Sequence, residues 1–430
     1  MSAALQADRG ETGRRRTALV LALVAFTLAL GAVSLRTYHN VIVPGQPELE
    51  RYGLRDFRDA VHYPARALLD GVNPYRPSTY RARYPVGSKF PLYTPLTLVV
   101  HLPFGLGSVL AAGVAHYAVN VLCMLLLAFL SLRVCGARHD LAAVLGLAAF
   151  ILVCRPGYTN VYTGECTAYV ALGMYLVLAF GDRPGIGALG TAVAWVKPTF
   201  GAPLTILLLA RRDWRRAAVL GILIGGVVSL PVLLALVRSE GGVTPLLGSL
   251  VENYTTTNTG ETYSGASVLA LDAGAFVARF LGRTPGAALG GVELAVSLLI
   301  LTFGVVSIVR CGDDRDRAVR FTPITIACLT VLLAVHHQSY DAILLILPVT
   351  ALATGRWIPR LPFLGASTRW VLCALLVVPF VNYAASYAFV DRWHLTGWSW
   401  LAATSANGGA LLAALALTGA LAFGAGDEPR

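Results

Sequence analysis

The sequence predicts an all-α polytopic membrane protein, and three observations lead to that prediction. The chain of 430 residues is 56% hydrophobic and only 13% charged, whereas soluble globular domains carry about 25% charged residues. Several apolar runs approach the roughly 20 residues that a helix needs to cross a bilayer. These runs are continuous and do not alternate with period two, which favours helices over the strands of a β-barrel. We expect about twelve membrane segments.

Positively charged residues between the apolar runs set the predicted topology. Residues 1–16 end in three consecutive arginines and form a predicted cytoplasmic tail, because positive residues mark the cytoplasmic side of a membrane helix. Residues 17–424 form the predicted single membrane domain, and residues 425–430 a second cytoplasmic tail. The membrane segments are predicted at about 17–36, 107–132, 141–154, 167–181, 185–210, 218–237, 286–309, 321–335, 341–355, 370–390 and 401–424.

Two segments depart from a plain membrane span. Residues 92–104 are apolar but short and bracketed by prolines, which is typical of a re-entrant or interfacial helix. Residues 185–210 are interrupted in the middle by Lys197-Pro198 and have basic residues at both ends. This charge pattern favours a shallow hairpin with Lys197-Pro198 at its tip over one kinked span.

Two long polar segments are predicted to lie outside the cytoplasm. The first external loop covers residues 37–91, and the second covers residues 238–285. Within the second loop, residues 252–265 are polar and lack a helical period, whereas residues 267–282 repeat apolar residues at helical spacing. We expect an irregular stretch and then an amphipathic helix on the membrane surface. The predicted localisation is the plasma membrane, with many passes and both termini in the cytoplasm.

The net charge of +11 does not indicate a nucleic-acid partner. Nucleic-acid binding proteins carry a basic stripe with interleaved aromatic residues, and here the basic residues fall between apolar runs. The seven cysteines form no CxxC pair, so no zinc or redox site is predicted. The predicted partner is the lipid bilayer. No nucleic acid and no cofactor are predicted, and a role for a divalent ion stays open.

The ionisable residues collect near the predicted outer face, and the spans themselves carry almost none. Proton relays and ion pathways place such groups at mid-membrane depth. The pattern here suits a reaction on a lipid-linked substrate whose polar head lies outside. In the first loop Asp56, Asp59 and His62 follow at i, i+3 spacing, so a helix would place them on one face. A carboxylate there can accept a proton from a hydroxyl.

Basic residues in the same region are candidates for binding a phosphate. Arginine forks and lysine ammonium groups stabilise phosphate oxygens, and a lysine inside an apolar segment is costly unless it has a function or reaches water. The alternative for each arginine is contact with lipid headgroups. The candidates are Arg58, Arg66, Arg81, Arg83, Lys89 and Lys197.

Four residues are candidates for contact with a sugar or an acceptor. His62 lies in the first loop, and Glu165 begins a predicted helix at the outer face, where the helix dipole favours an acid. His336 and His337 end a predicted span on the outer side. The two histidines lack the further ligands at fixed spacing that a metal site requires. We therefore predict hydrogen-bonding or acid–base roles for them, with capping at the interface as the alternative.

Three stretches of the sequence resemble glycosyltransferase family 87. The first is DFRDAVHYPARALLDGVNPY with YPVGSKFPLYTPLTLVVHLPFGL, the second is GDRPGIGALGTAVAWVKPTFGAPLTILLLARRDWRRA, and the third is HHQSYDAILLILP. They follow the order of the family and together span most of the chain. The resemblance implies the membrane-embedded GT-C fold and an activity like that of the polyprenol-phosphate-mannose-dependent α-1,2-mannosyltransferases.

The same resemblance implies a reaction and a set of site residues. It implies transfer of a sugar, mannose in those members, from polyprenyl phosphate to an extracytoplasmic lipid or glycan acceptor, with inversion at the anomeric carbon. The family's base is an aspartate of the first external loop, which falls on Asp56. Asp59 is the second candidate, since many members have a shorter spacing to the Arg-Ala-Leu-Leu segment. The family's Lys-Pro falls on Lys197, and its histidine on His336 or His337.

The main alternative is a glycolipid transporter or flippase. That class predicts internal repeats and ionisable residues at mid-membrane depth, and neither is found in the sequence. The sequence therefore predicts a polytopic glycosyltransferase with Asp56 or Asp59 as its general base.

Overall fold

The computed structural model describes residues 2–41, 53–258, 267–282, 287–311, 321–361 and 363–424. Within these ranges the chain is helical and forms no β-strand, which agrees with the predicted all-α class. A π-helical turn lies at Phe57–His62, and 3-10 turns lie at Arg212–Trp214 and Ser339–Leu345. The α-helices are α1 (Ser2–His39), α2 (Tyr63–Leu69), α3 (Pro77–Arg83), α4 (Pro95–Gly105), α5 (Val109–Val134), α6 (Leu141–Val153), α7 (Arg155–Thr163), α8 (Thr167–Phe180), α9 (Pro184–Ala194), α10 (Pro198–Ala210), α11 (Arg215–Glu240), α12 (Val243–Asn258), α13 (Ala273–Phe280), α14 (Ala287–Arg310), α15 (Phe321–Ala334), α16 (Ile346–Ala353), α17 (Thr368–Val381), α18 (Tyr387–Arg392) and α19 (Gly397–Gly424).

Among the described residues, five helices are long and apolar enough to cross a membrane, which is fewer than the sequence predicts. The bent pair α6 and α7, with 76° between its halves, counts as a sixth candidate if it is one span. Most of the remaining predicted segments are shorter apolar helices, among them α8, α9, α10, α15 and α17. The count of about twelve is therefore not reproduced by full-length helices, although helices occupy the predicted positions. By length and composition, the five candidates among the described residues are Gly13–His39, Val109–Val134, Arg212–Glu240, Gly290–Arg310 and Gly397–Gly424.

Proline explains why residues 185–210 form two short helices. Lys197 has extended backbone angles (φ −109°, ψ 108°), which is the conformation that a following proline favours, and Pro198 then begins α10. Helix α9 begins at Pro184 and α10 ends next to Arg211, and both of these residues line one cavity. The two helices thus return to the same end of the bundle, which is the hairpin that the sequence predicts.

The core lies around α15, in which every residue is buried. Because α15 is apolar on all sides, it fits an interior position, where it packs against α10, α14 and α19. Peripheral helices instead expose large apolar side chains, such as Leu28 of α1, Val227 of α11 and Leu299 of α14. Soluble proteins rarely expose continuous apolar surface of this kind, so these faces suit contact with lipid.

The two ends of the bundle carry different parts of the chain. At one end α1 finishes against α7, where Arg36 lies over the rings of Tyr158 and Tyr162. The backbone N–H of Leu54 also bonds Tyr162 there. We call this the loop end. We call the other end the N-terminal end. There Arg15 lies close enough to Asp140 for its charge to help lower the pKa of that carboxyl group. The first loop therefore lies opposite the N-terminal arginines.

Two boundaries differ from the sequence prediction because helices continue into polar residues. Helix α1 begins at Ser2, so the described part of the predicted tail 1–16 is continuous with the first membrane helix. Helix α12 continues to Asn258, so the predicted irregular stretch 252–265 begins as helix. The hydroxyl of Thr256 donates to the carbonyl of Glu252, four residues earlier, and is thereby satisfied within the helix.

The predicted amphipathic helix at 267–282 is observed in its second half, as α13. Some parts of the predicted loops and tails lie outside the described residues: residue 1 and residues 42–52, 259–266, 283–286 and 425–430.

Candidate active site

The first loop turns at Phe57–His62 with π-helical geometry. A π-helix closes its hydrogen bonds between residues i and i+5 and is therefore wider than an α-helix. Residues three apart then no longer lie on one face. The expectation that Asp56, Asp59 and His62 share a face is wrong, and the three side chains contact different partners.

Gly164 allows the first loop to approach α7 closely. Its φ of +73° is a left-handed conformation that favours glycine. A Cβ atom at this position would also lie 2.5 Å from the Cβ atom of Phe57. Glycine therefore meets both requirements, and it brings Asp56 next to Thr163 and Glu165, the residues on either side of it.

Asp56 is a partly buried carboxyl with an altered acidity. Burial and the negative charge of Glu165 raise the pKa of Asp56 to about 7, against the lowering effects of a hydrogen bond with Thr163 and the charge of Arg55. A carboxyl with this pKa is divided between its protonated and ionised forms near neutral pH. It is matched to proton transfer in that range.

Asp59 is buried and fully bonded. One carboxylate oxygen accepts from Arg58 Nε at 2.7 Å. The other accepts from the backbone N–H groups of Gly87 and Ser88 at 3.1 and 2.8 Å. Arg55 Nε lies 3.8 Å from the second oxygen. Asp59 thus ties the first turn of the loop to its last segment.

His62 holds the same loop against α4. Its Nδ1 lies 2.7 Å from the carbonyl oxygen of Phe104, which can only accept, so Nδ1 carries the proton. Burial lowers the pKa of His62, and the ring is therefore neutral at pH 7. The ring also packs against Phe57 and Tyr63.

Lys197 is the centre of a buried polar network. The break between α9 and α10 leaves its side chain outside both helices. Its Nζ lies 2.9 Å from Thr167 Oγ1, 3.1 Å from Asp341 Oδ1 and 3.5 Å from Glu165 Oε2. The hydroxyl of Thr167 also donates to Asp341 Oδ1 at 2.9 Å. The ammonium group therefore donates hydrogen bonds to Thr167 and Asp341 and forms a longer ion pair with Glu165.

Three aromatic rings surround the same ammonium group. The distances from Lys197 Nζ to the ring centroids are 5.0 Å for Tyr340, 5.6 Å for Phe200 and 5.9 Å for Tyr93. Ring faces attract a cation at such distances. Lys197 is therefore stabilised in its charged form although it is buried.

The two neighbouring histidines have different surroundings. His337 is buried, with Nδ1 3.0 Å from Asp341 Oδ2 and Nε2 3.3 Å from the carbonyl oxygen of Thr199. His336 remains partly exposed, with Nδ1 3.4 Å from Asp272 Oδ2. His337 thus belongs to the Lys197 network, whereas His336 borders it.

Comparison with known protein families identifies the chain. The family model for glycosyltransferase family 87 matches residues 91–335, more than half of the chain. This chain is a member of glycosyltransferase family 87. It is a membrane glycosyltransferase, as the sequence predicts. The match contains Glu165 and Lys197, ends just before His336 and begins after Asp56. No curated protein and no solved structure matches the chain.

The glycosyltransferase brings four of the predicted site residues into one place: Asp56, Glu165, Lys197 and His337. Three predicted phosphate ligands lie elsewhere in the loop. Arg66 is exposed and pairs with Asp70 at 3.2 Å, and Arg81 and Arg83 are exposed on α3. Of the other two, Arg58 is bonded to Asp59, and the ammonium group of Lys89 donates to the carbonyl of Asn253.

Sequence reasoning gave no role to two members of the Lys197 network, Thr167 and Asp341, or to the partner of His336, Asp272. A local signal existed for Asp341, because it follows His337 at i+4. No local signal could pair Asp341 with Lys197, since 144 residues separate them.

In the described part of the glycosyltransferase, no group of three or more His, Cys, Asp or Glu side chains is arranged to hold an ion.

Proposed function

We propose that this glycosyltransferase transfers a sugar, mannose, from polyprenyl phosphate to a hydroxyl of a lipid or glycan acceptor, with inversion. The proposal rests on the family and on the polar network at the loop end of an otherwise apolar bundle. A polyprenyl chain is as apolar as lipid, so its tail can stay in the bilayer while its phosphate and sugar reach the first loop. We propose that the loop end faces outside the plasma membrane, with both termini in the cytoplasm.

Asp56 is the proposed general base, and its environment is the observation that carries the proposal. A base needs an available oxygen and a pKa near the working pH. The pKa of Asp56 is raised to about 7, which fits this role. Asp59 fits it less well, because Arg58, Gly87 and Ser88 already use its two oxygens.

The proposed step is a single displacement. The acceptor hydroxyl oxygen forms a bond to the anomeric carbon, and its proton passes to Asp56. The bond from that carbon to the phosphate oxygen breaks, and polyprenyl phosphate leaves with the electron pair. Because no sugar–enzyme intermediate forms, no nucleophilic carboxylate is required. Glu165 then acts as a positioning residue whose charge tunes the pKa of Asp56.

The basic residues divide into two proposed roles. Arg58, Lys89 and Lys197 are the proposed contributors to stabilising the phosphate, because they lie in or beside the bonded part of the loop end. Arg66, Arg81 and Arg83 are exposed, so contact with lipid headgroups suits them better. His336, which is partly exposed, is a better candidate than His337 for contact with the sugar.

The experiment is sugar transfer in isolated membranes. Radiolabelled polyprenyl-phosphate-mannose and total lipid extract are supplied to the wild type and to Asp56→Asn, Asp59→Asn and Asp70→Asn. We expect Asp56→Asn to lose at least about 100-fold in transfer rate at normal protein level, as loss of a general base does. Asp70→Asn is the matched control, because Asp70 is a carboxylate of the same loop whose partners are Arg66 and Tyr84.

Two outcomes would contradict the assignment. Equal transfer by Asp56→Asn and the wild type would exclude Asp56 as the base. Loss of transfer in Asp59→Asn alone, with folding shown by size-exclusion chromatography, would move the role to Asp59. Transfer from a different polyprenyl-phosphate sugar, with none from the mannose donor, would keep the mechanism and change the donor.

A further inference from the structure

A cavity opens at the N-terminal end of the bundle, far from Asp56. Its volume is about 630 Å³, within the range of small-molecule sites. It lies where α8 ends, α9 begins and α10 ends, and it reaches Ile324 of α15. Its charged lining consists of Asp182, Asp213, Arg211, Arg212 and Arg216.

The cavity is separate from the Lys197 network. Helices α8, α9 and α10 each run from one region to the other, and they contain 14, 11 and 13 residues. At 1.5 Å per residue they place the two regions roughly 16–21 Å apart. A group bound in the cavity cannot touch the proposed base.

The guanidinium of Arg211 has two nitrogens without an acceptor among the described residues. Its Nε and Nη1 atoms have no contact with solvent and no hydrogen-bond partner. Its guanidinium carbon lies over the ring of Trp214, 4.6 Å from the ring centroid. This contact restricts the orientation of the guanidinium group. Buried donors are normally satisfied, and a charged donor without an acceptor is especially unfavourable.

The two aspartates of the lining do not supply the missing acceptors. Among the described residues, no ion pair joins Asp182 or Asp213 to an arginine of the cavity. The lining thus has three arginines and two aspartates, and none of these arginines forms an ion pair within the described part of the chain.

We propose that this cavity binds a phosphate group, with Arg211 as the principal ligand and Arg212 and Arg216 at the rim. A planar guanidinium held by stacking can bond two phosphate oxygens at once, which an ammonium group cannot. The phosphate can belong to the headgroup of an anionic phospholipid or to a soluble phosphate compound. Both sources present the same chemistry to the cavity.

The test uses the full-length protein purified in a neutral detergent. Retained lipids are measured by native mass spectrometry, and thermal unfolding is followed with added phosphatidylglycerol, phosphatidylcholine or inorganic phosphate. The variants are Arg211→Ala, Arg211→Lys and the double variant R212A/R216A. Arg138→Ala is the matched control, because Arg138 is an exposed arginine of the same end that pairs with Asp140.

We expect at least about tenfold weaker binding in Arg211→Ala, since charge-assisted bonds are lost. Arg211→Lys restores part of the binding, and Arg138→Ala leaves it unchanged. A preference for phosphatidylglycerol over phosphatidylcholine, without an effect of inorganic phosphate, identifies a lipid headgroup. Stabilisation by inorganic phosphate that requires Arg211 identifies a soluble ligand.

Equal binding of every probe by the wild type, Arg211→Ala and R212A/R216A would overturn the proposal. If Arg211→Ala does not fold, the double variant still decides, because its two positions are exposed. Its binding must then fall below that of Arg138→Ala for the proposal to stand.

Discussion

The two ends of the α9–α10 hairpin hold buried cations in opposite states. At the tip, Lys197 has Thr167, Asp341 and Glu165 as acceptors. At the base, Arg211 has two buried nitrogens, Nε and Nη1, with no acceptor among the described residues. The protein itself supplies acceptors for the first cation, whereas the second would receive them from the phosphate group that we propose. A basic residue in a membrane protein therefore reveals its role only when its acceptors are known.

The largest effect is expected where the network is complete. Lys197→Met removes the cation and leaves two buried carboxylates without their counter-ion, so we expect a loss of about 3–5 kcal/mol in the free energy of unfolding. Denaturant unfolding in detergent measures this loss. The double variant K197M/D341N should be more stable than Lys197→Met, because one of the stranded charges is gone. Equal losses in the single and double variants would contradict the network.

Asp56 is expected to have a smaller effect on stability, and the direction of its pH dependence follows from its raised pKa. Its folded pKa of about 7 lies above the ordinary value of 3.8, so the folded state binds more protons than the unfolded state between these pH values. Stability therefore falls as pH rises from about 4 to 7. Asp56→Asn should unfold at a higher temperature than the wild type at pH 8 and at a similar temperature at pH 4.

The comparison variant for this measurement is Asp70→Asn. A hydrogen bond from Tyr84 lowers the pKa of Asp70, so its contribution to stability is present above the unfolded pKa and is lost as pH falls. Its replacement should not stabilise the protein at any pH. A wild-type melting temperature that rises steadily from pH 4 to pH 8, with Asp56→Asn matching it, would show that Asp56 is not perturbed.

The acidity of Asp56 should also appear in the rate of transfer. A base must be ionised to act, so kcat/KM should rise with pH and reach half its maximum near pH 7. Glu165→Gln removes a charge that raises the pKa of Asp56 and should shift this midpoint to lower pH. An unchanged midpoint in a folded Glu165→Gln variant would argue against electrostatic tuning by Glu165.

The smallest effect is expected at the other end of the hairpin. Arg211→Ala breaks no internal hydrogen bond at Nε or Nη1, so the ligand-free protein should lose less than about 1 kcal/mol. Denaturant unfolding of both variants tests this contrast directly, because the loss in the free energy of unfolding should be smaller for Arg211→Ala than for Lys197→Met. A loss as large as that of Lys197→Met would mean that Arg211 is structural.

The sequence predicted the positions of the helices better than their lengths. Apolar runs are local, so the helical segments could be read from composition alone, and the break at Lys197-Pro198 followed from the properties of proline. The sequence did not predict that just five or six helices of the described chain are long enough to cross a membrane. A short apolar helix buried in a bundle and a membrane span have similar compositions.

The sequence predicted the family, whereas the contacts among the candidate site residues depend on tertiary packing. Lys197 was singled out as a cation within an apolar segment, but its pairing with Asp341 joins distant parts of the chain. The i, i+3 spacing of Asp56, Asp59 and His62 predicted a common face, and the π-helical turn at Phe57–His62 removed it. We propose Asp56 and not Asp59 as the base because the backbone N–H groups of Gly87 and Ser88 already donate to Asp59. No sequence pattern predicts these two hydrogen bonds.

The shortness of the hairpin has a consequence for the surrounding lipid. Helix α9 has 11 residues and spans about 16 Å, whereas the hydrocarbon layer of a bilayer is about 30 Å thick. Both of its ends are polar, and the Lys197 end is buried against acceptors inside the bundle. With the base of the hairpin at headgroup depth, its tip would lie below the opposite surface of an undistorted bilayer, and local thinning would bring that surface closer at a modest cost per ångström. Such a depression would shorten the distance that a phosphate headgroup has to travel to reach Lys197. Reconstitution in lipids of graded chain length would show it as faster transfer in thinner bilayers.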